Sequence, residues 1–345
     1  MDEFRDNLFS WIIDNMGKVK HDFCQSGMPE LKLANFDIEL NMREYEKIKS
    51  TAESVFQETI AELYDVDKEQ ILPTTGGTEG ISLGTVYLSR HSQIINVPVP
   101  EYGPMFWVPE SLGFNVRRFD PKTDTPDGKD HSLSTTFPNN PTGDQPVDRN
   151  LSDYLKENAL SYVDETFMEF TFPGKPYTLF HENENLIVST TLTKFFGGSP
   201  WRVGWMIASK EKIRELRMCR FLTTGSTARY SLYAAVKILE KRDKIQKKVK
   251  ETLTANRNLL KKVMNDLGLK YSNPDRTTFT FVETENESMK VAQNMLKNDL
   301  FVAPGKYFGV DKGYRLCFTS DTQTFTEDME KLKEYYESAP NGQFV

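Results

Sequence analysis

The chain has 345 residues, 38% of them hydrophobic and 27% charged, with 20 Gly, 17 Pro and 3 Cys, proportions that describe a globular protein and exclude a disordered or collagen-like one. At roughly 100–200 residues per domain the length suits two domains or one large α/β unit, and it rules out a small stapled scaffold. The net charge of -7 argues against nucleic acid as a partner, and no run reaches the about 18 apolar residues that cross a bilayer, so no membrane partner is expected.

The opening MDEFRDNLFSWIIDNMGK carries acids where an export signal needs bases, so a cytoplasmic location is expected. Phe4, Leu8, Trp11 and Ile12 recur there at the spacing of an amphipathic helix. Cys24, Cys219 and Cys317 are odd in number and far apart in sequence. They fit neither a disulfide framework nor a CxxC metal site, and a reducing compartment follows. His21, His91, His131 and His181 are equally scattered, and no metal site is expected.

Residues 43–63 place Tyr45, Ile48, Ala52, Val55, Phe56 and Leu63 on one face of a core-facing helix. Between 70 and 210 the runs IINVPV, SLSTTF, LSYVD, LIVSTT and GWMIAS alternate with turn-rich and helical stretches. That order predicts a mainly parallel sheet covered by helices, with functional groups at the strand ends. Residues 228–267 turn helical and basic, and the mixture of acids and bases reads as a solvated helix face. The remainder holds two strand-like runs, TTFTFVET and YRLCFTS, and two helical ones, as in a smaller α+β unit. A large domain over 35–245 is expected, with 1–34 folding back onto 246–345 to make the small one.

Six segments carry polar groups that the predicted elements leave at turns or strand ends. In LPTTGGTEG, Gly76, Gly77 and Thr78 open a helix whose first N–H groups suit a phosphate. In VPVPEYGP a proline- and glycine-forced turn leaves Tyr102 free to lie against a planar ligand. FPNNPTG fixes the Asn140 amide just beyond a strand, and SYVDETF puts the Asp164 carboxylate at another strand end, where it needs a cation or a donor. In STTLTKFFGGSPWR, Lys194 lies among Phe195, Phe196 and Trp201, whose bulk desolvates an amine and makes it a better nucleophile. GYRLCF sets Arg315 inside an apolar strand, where a guanidinium needs a carboxylate or phosphate. Each segment alone is explained by turns, caps or surface charge; together they are the set that pyridoxal phosphate demands.

The ordered series GGTEG, PEYGP, NNPTG, VDExF, SxTLTK(x7)RxG and PGKYFG(x4)YRLCF resembles fold-type I PLP-dependent enzymes, specifically the class I/II aminotransferases that include aspartate and histidinol-phosphate aminotransferases. The resemblance spans residues 70–320 and implies the three-layer α/β PLP-dependent transferase fold. It also implies transfer of an amino group from an L-amino acid to a 2-oxo acid, and a homodimer.

Carried over residue by residue, Lys194 resembles the lysine that holds the cofactor as a Schiff base and later shuttles the proton at Cα. Asp164 resembles the acid opposite the pyridine nitrogen and Asn140 the donor to the ring O3′. Gly76, Gly77, Thr78, Thr191 and Arg202 match the phosphate positions, Tyr102 the stacking ring, Arg315 the grip on the substrate carboxylate, and Gly27 the glycine segment that closes over substrate. Tyr45 is the candidate for a tyrosine lent to the partner subunit's phosphate. Phe167 stands where the family most often has a tyrosine bonded to O3′, and this DExF form resembles a threonine-phosphate decarboxylase branch. A decarboxylase is therefore the alternative reaction, and a noncatalytic PLP or amino-acid sensor the remaining one. Arg220, Arg229 or neither serves an anionic substrate side chain.

Overall fold

The computed structural model of the chain describes residues 5–124, 131–143, 160–171 and 174–338. Helix α1 (Leu8–Asn15) starts at Asn7, whose side-chain oxygen accepts the backbone N–H groups of Phe9 and Ser10 at 2.9 and 3.1 Å, satisfying donors that the first turn leaves unpaired. Leu8 and Trp11 face inward as their spacing predicts, and the Trp11 indole donates to the Val302 carbonyl at 2.9 Å; Phe4 lies outside the described residues. The short strand β1 (His21–Asp22) follows.

The single helix expected over 43–63 is two helices, α2 (Met42–Ile48) and α3 (Ala52–Tyr64). At the break the Thr51 N–H donates to the Ile48 carbonyl at 2.9 Å, three residues back rather than four, and the Thr51 hydroxyl joins it at 3.2 Å. The break resets the helical phase. The buried face of α3 is Ala52, Phe56, Ile60 and Tyr64, while Tyr45, Ile48, Val55 and Leu63 are only half-buried.

The middle of the chain runs β2 (Ile71–Thr74), α4 (Gly76–His91), β3 (Ile94–Pro98), α5 (Pro104–Ser111), β4 (Val116–Phe119), β5 (His131–Thr136), β6 (Ser161–Asp164), α6 (Met168–Thr171), β7 (Leu186–Thr191) and β8 (Gly204–Ile207). The strands form one seven-stranded sheet in the order β2-β8-β7-β6-β5-β3-β4. Pairing is parallel from β4 through β7, and only β8 runs against its neighbours β7 and β2. Every residue of β2, β6, β7 and β8 is buried, as expected of continuous apolar runs covered on both faces. Helix α4 lies so close to the sheet that a Cβ on Gly84 would stand 2.5 Å from the Tyr162 ring.

The stretch expected to turn helical at 228 follows α7 (Lys210–Thr223) and is two helices, α8 (Arg229–Leu239) and α9 (Arg242–Asp266). Helix α9 buries Ile245, Val249, Leu253, Leu260, Val263 and Met264 along one face. Then come β9 (Phe279–Glu287), α10 (Ser288–Lys297), β10 (Leu300–Phe301), β11 (Ala303–Pro304), β12 (Lys312–Cys317) and α11 (Thr322–Glu337), with an antiparallel sheet in the order β11-β12-β9. The N-terminal segment packs on these elements. β1 pairs in parallel with β10, the Phe23 N–H donates to Phe301 at 2.8 Å, and the Cys317 N–H donates to the Phe23 carbonyl at 2.8 Å. Farther along, the Met28 N–H donates to the Lys194 carbonyl at 2.9 Å and that of Leu31 to the Gly197 carbonyl at 3.0 Å. Among the described residues no helix is long and apolar enough to cross a membrane.

Candidate active site

The sheet registers bring its functional ends together. Thr136 closing β5 lies opposite Asp164 closing β6, and both Thr191 closing β7 and Thr74 closing β2 lie opposite Gly204, the first residue of the reversed β8. The polar groups singled out along the chain thus collect along one edge, outside the carboxyl ends of the parallel strands.

Lys194 follows β7 in the turn that leads to Gly197. Its Nζ donates to the Ser26 hydroxyl at 3.2 Å, and a Cβ on Gly27 would stand 3.2 Å from the lysine Cδ. Burial, reinforced by the positive Arg315, lowers the amine pKa from 10.5 to about 8, so a usable fraction is neutral and nucleophilic near neutral pH. Asp164 is 5% exposed. Its Oδ1 accepts the Thr166 N–H at 3.0 Å and the Thr166 hydroxyl at 2.5 Å, while Oδ2 takes no hydrogen bond among the described residues. Burial pushes this carboxyl up to about 6, with the Thr166 bonds and the Lys194 charge opposing. A buried acid held in place on one oxygen and open on the other suits a cationic or N–H partner.

Arg315 on β12 is 2% exposed, lying between the rings of Phe279 and Phe308, 5.3 and 5.1 Å from their centroids. One amino group donates to Asn140 Oδ1 at 2.8 Å and the other to the Cys24 carbonyl at 3.0 Å, while Nε is buried with no partner among the described residues. Asn140 is held in turn by its own N–H, which donates to the Thr136 hydroxyl at 2.9 Å. Tyr102 is within electrostatic reach of Asp164, Arg315 and Arg202; burial first, then the Asp164 charge, pushes its hydroxyl pKa well up.

The other end of the site is basic. Gly76 opens α4 at φ +74, and a Cβ there would stand 2.7 Å from the Arg202 Nη2, so only glycine lets that guanidinium lie across the helix N-terminus. The guanidinium makes no ion pair or hydrogen bond with the described residues. Beside it, Gly77 faces the Thr191 methyl and the Thr166 hydroxyl, and Thr78 is exposed. Glu79 braces this turn, accepting from the Thr75 N–H and the Thr224 hydroxyl. The Thr191 hydroxyl is turned away, donating to the Val203 carbonyl at 2.9 Å.

This donor set fits pyridoxal phosphate. A helix N-terminus with an unpaired guanidinium suits the phosphate dianion, the half-paired Asp164 suits a protonated ring nitrogen, and the buried amine suits the aldehyde.

Tyr45 is not brought to these residues. It packs edge-on against Tyr230 at 5.1 Å and tilted against Tyr233 at 5.8 Å, and forms no hydrogen bond or ring contact with them. Phe167 lies edge-on to Phe279 at 4.8 Å, in a small cluster that also holds Cys317. Arg220 is 1% exposed and committed to the Pro73 carbonyl at 2.8 Å and to Glu53 at 3.2 Å, so it reads as structural; Arg229 is exposed at the start of α8. Cys24 and Cys317, distant in sequence, meet beside Arg315, where the Cys317 thiol donates to the Cys24 carbonyl at 3.6 Å; both are free. Burial pushes both thiols up, which leaves them inert. Sequence reasoning missed Ser26, Thr166, Glu79 and Glu101. Glu79, Thr166 and Glu101 lie inside the segments GGTEG, VDETF and PEYGP but carried no signal of their own.

The family described as aminotransferase class I and II matches residues 17–332. The chain is 22% identical over 299 residues to a probable aspartate aminotransferase of Methanocaldococcus jannaschii, covering 79% of each protein. It is 25% identical over 296 residues to histidinol-phosphate aminotransferase 2 of Carboxydothermus hydrogenoformans, covering 81% of each. A solved PLP-dependent aminotransferase from Streptococcus suis superposes with a TM-score of 0.83 at 21% identity over 98% of both chains, a likeness of fold.

Proposed function

The chain belongs to the class I and II aminotransferases and is a pyridoxal-phosphate-dependent enzyme acting on amino acids and 2-oxo acids, and from that premise we propose that Lys194 is the amine that binds the cofactor and carries the proton of the transfer. The observation that carries this reading is the Lys194 amine itself, lowered to about 8 by burial and by Arg315 and set near Asp164.

Pyridoxal phosphate supplies an electron sink conjugated to the amino nitrogen, which makes the Cα–H bond labile. Gly76, Gly77, Thr78 and Arg202 would hold its phosphate, with the Thr191 methyl packed beside Gly77. Tyr102 would lie on the ring face, Asn140 would donate at its edge, and Asp164 would keep the ring nitrogen protonated. Phe167 offers the edge no hydroxyl. Arg315, with Nε unpaired and Asn140 beside it, would bind the substrate α-carboxylate and so fix the orientation of the substrate Cα. The Lys194 amine would then take the Cα proton and return it. Gly27, against the lysine stem, closes the site from above.

Supporting proposals complete the picture. The division is 35–245 against 1–34 with 246–345, resting on the contacts of β1 and Phe23 with the C-terminal elements. The enzyme is a cytoplasmic homodimer, with Tyr45 lent to the partner's phosphate, and it engages neither nucleic acid nor membrane. Borohydride reduction of the holoenzyme followed by peptide mapping places the label on Lys194. An amino donor with 2-oxoglutarate yields glutamate and no CO2. A label on another lysine refutes the residue assignment, and stoichiometric CO2 with no amino group passed on refutes the reaction.

A further inference from the structure

We propose that Glu101 is a positioning residue whose one carboxyl group sets Tyr102 and Asn140 relative to each other, and so fixes the ring-face and ring-edge contacts together. The proposal rests on the reading of Tyr102 and Asn140 given above. Glu101 is 0% exposed, and among the described residues it has no ion-pair partner. Its carboxyl instead gathers donors from its own turn, from the end of β5 and from the turn that follows β5. Oε1 accepts the Tyr102 N–H at 2.7 Å and the Thr136 hydroxyl. Oε2 accepts the Thr135 hydroxyl at 2.7 Å, the Thr136 N–H at 2.9 Å and the Asn139 amide at 3.5 Å.

The turns it joins are the ones that present the site. Tyr102 follows β3, Asn140 follows β5, and these strands are parallel neighbours. The Thr136 hydroxyl is the relay: it donates to Glu101 and accepts the Asn140 N–H at 2.9 Å, and Asn140 then receives Arg315 at 2.8 Å. A buried carboxyl without a cation is costly, and burial pushes this one up to about 8 against its donors. Apolar filling would serve a mere core position better; Glu101 instead reaches the site directly at the Tyr102 N–H and, through the Thr136 hydroxyl, at the Asn140 N–H.

Glu101→Gln keeps the shape but turns an NH2 toward the Tyr102 N–H and the Thr136 hydroxyl, unbalancing the side that leads to Asn140. Thr136→Val cuts the relay while leaving the carboxyl, and Thr136→Ser restores it. The readouts on PLP-loaded enzyme are the pH midpoint of the visible cofactor band, the KM for the amino donor, and the melting temperature. Losing a donor to a charged ring oxygen favours the protonated form, so the midpoint rises.

Asn140→Ala is expected to raise the midpoint. E101Q and T136V are expected to raise it by about one pH unit in the wild-type background, to raise KM, and to add nothing in the N140A background, with T136S like wild type. If E101Q does not fold, T136V tests the same link. Variants that only melt earlier, or that shift the midpoint equally in the N140A background, overturn the proposal. An unmoved midpoint in N140A itself overturns the reading of Asn140 on which the proposal stands, a separate and recognisable failure.

Discussion

Gly76→Ala tests how the basic end of the site is built. Residue 76 sits at φ +74, where alanine costs about 1–2 kcal/mol in backbone strain, and the new Cβ would stand 2.7 Å from the Arg202 Nη2. A side-chain tip can swing away, so the steric part of the change is relieved by moving Arg202 off the helix N-terminus. The phosphate then loses a charge-assisted contact, and because Arg202 is exposed the low end of the range applies, about 1.5 kcal/mol or about tenfold in Kd. Two effects should separate: a denaturation midpoint lowered by the strain in apoenzyme, and PLP affinity weakened about tenfold when apoenzyme is titrated by visible absorbance. Arg202→Ala should weaken PLP similarly without the strain, and G76A/R202A should bind no worse than R202A. Wild-type PLP affinity in G76A, or full additivity in the double variant, would refute the claim that Gly76 exists to admit that guanidinium.

Because the neutral amine is the nucleophile and its pKa is lowered to about 8, the rate of PLP capture by apoenzyme should climb with pH and level off just above about 8 in stopped-flow absorbance; a climb continuing toward the ordinary lysine value contradicts the burial argument. Phe167→Tyr adds a donor worth about 1.5–3 kcal/mol to a charged oxygen, so the midpoint of the cofactor band should fall by about one to two units. An unmoved midpoint means another residue already supplies that bond. Arg220→Ala removes a buried guanidinium from Pro73 and Glu53 and should cost about 3 kcal/mol in urea unfolding with donor preference unchanged; altered preference without lost stability would move Arg220 into the substrate pocket.

Five of the seven strands of the large sheet were legible as continuous, largely buried runs: LIVSTT is the whole of β7, IINVPV, LSYVD and GWMIAS contain all of β3, β6 and β8, and SLSTTF all of β5 but His131; β2 and the half-buried β4 were not. The turns after them were legible through Pro, Gly and Asn, which single out Tyr102 and Asn140; Asp164 stands out as a carboxylate at a strand end and Lys194 as an amine among aromatic side chains. The interruption at Thr51 was not legible, since it lies in one tightened turn where the Thr51 N–H and hydroxyl both donate to the Ile48 carbonyl. Ser26 beneath Lys194 was hidden by the 168 residues that separate them. The Thr191 rotamer escaped for a related reason: its carbonyl partner, Val203, is delivered by the antiparallel β8. Motif position identifies a residue's neighbourhood; where its hydroxyl points is settled by packing.

The segment from Phe23 to Leu31 works as a tie rod. Its near end is fastened to Phe301 and Cys317, its middle to Thr278, whose hydroxyl donates to the Ser26 carbonyl at 2.7 Å, and its far end to the backbone of Lys194 and Gly197. The strand bearing Arg315 and the turn bearing Lys194 are therefore joined through one short run of backbone. A displacement of the C-terminal elements would be transmitted along these nine residues to the main chain of Lys194. Under the roles proposed for Arg315 and Lys194, grip on the substrate carboxylate and alignment of the amine would be coupled through the backbone.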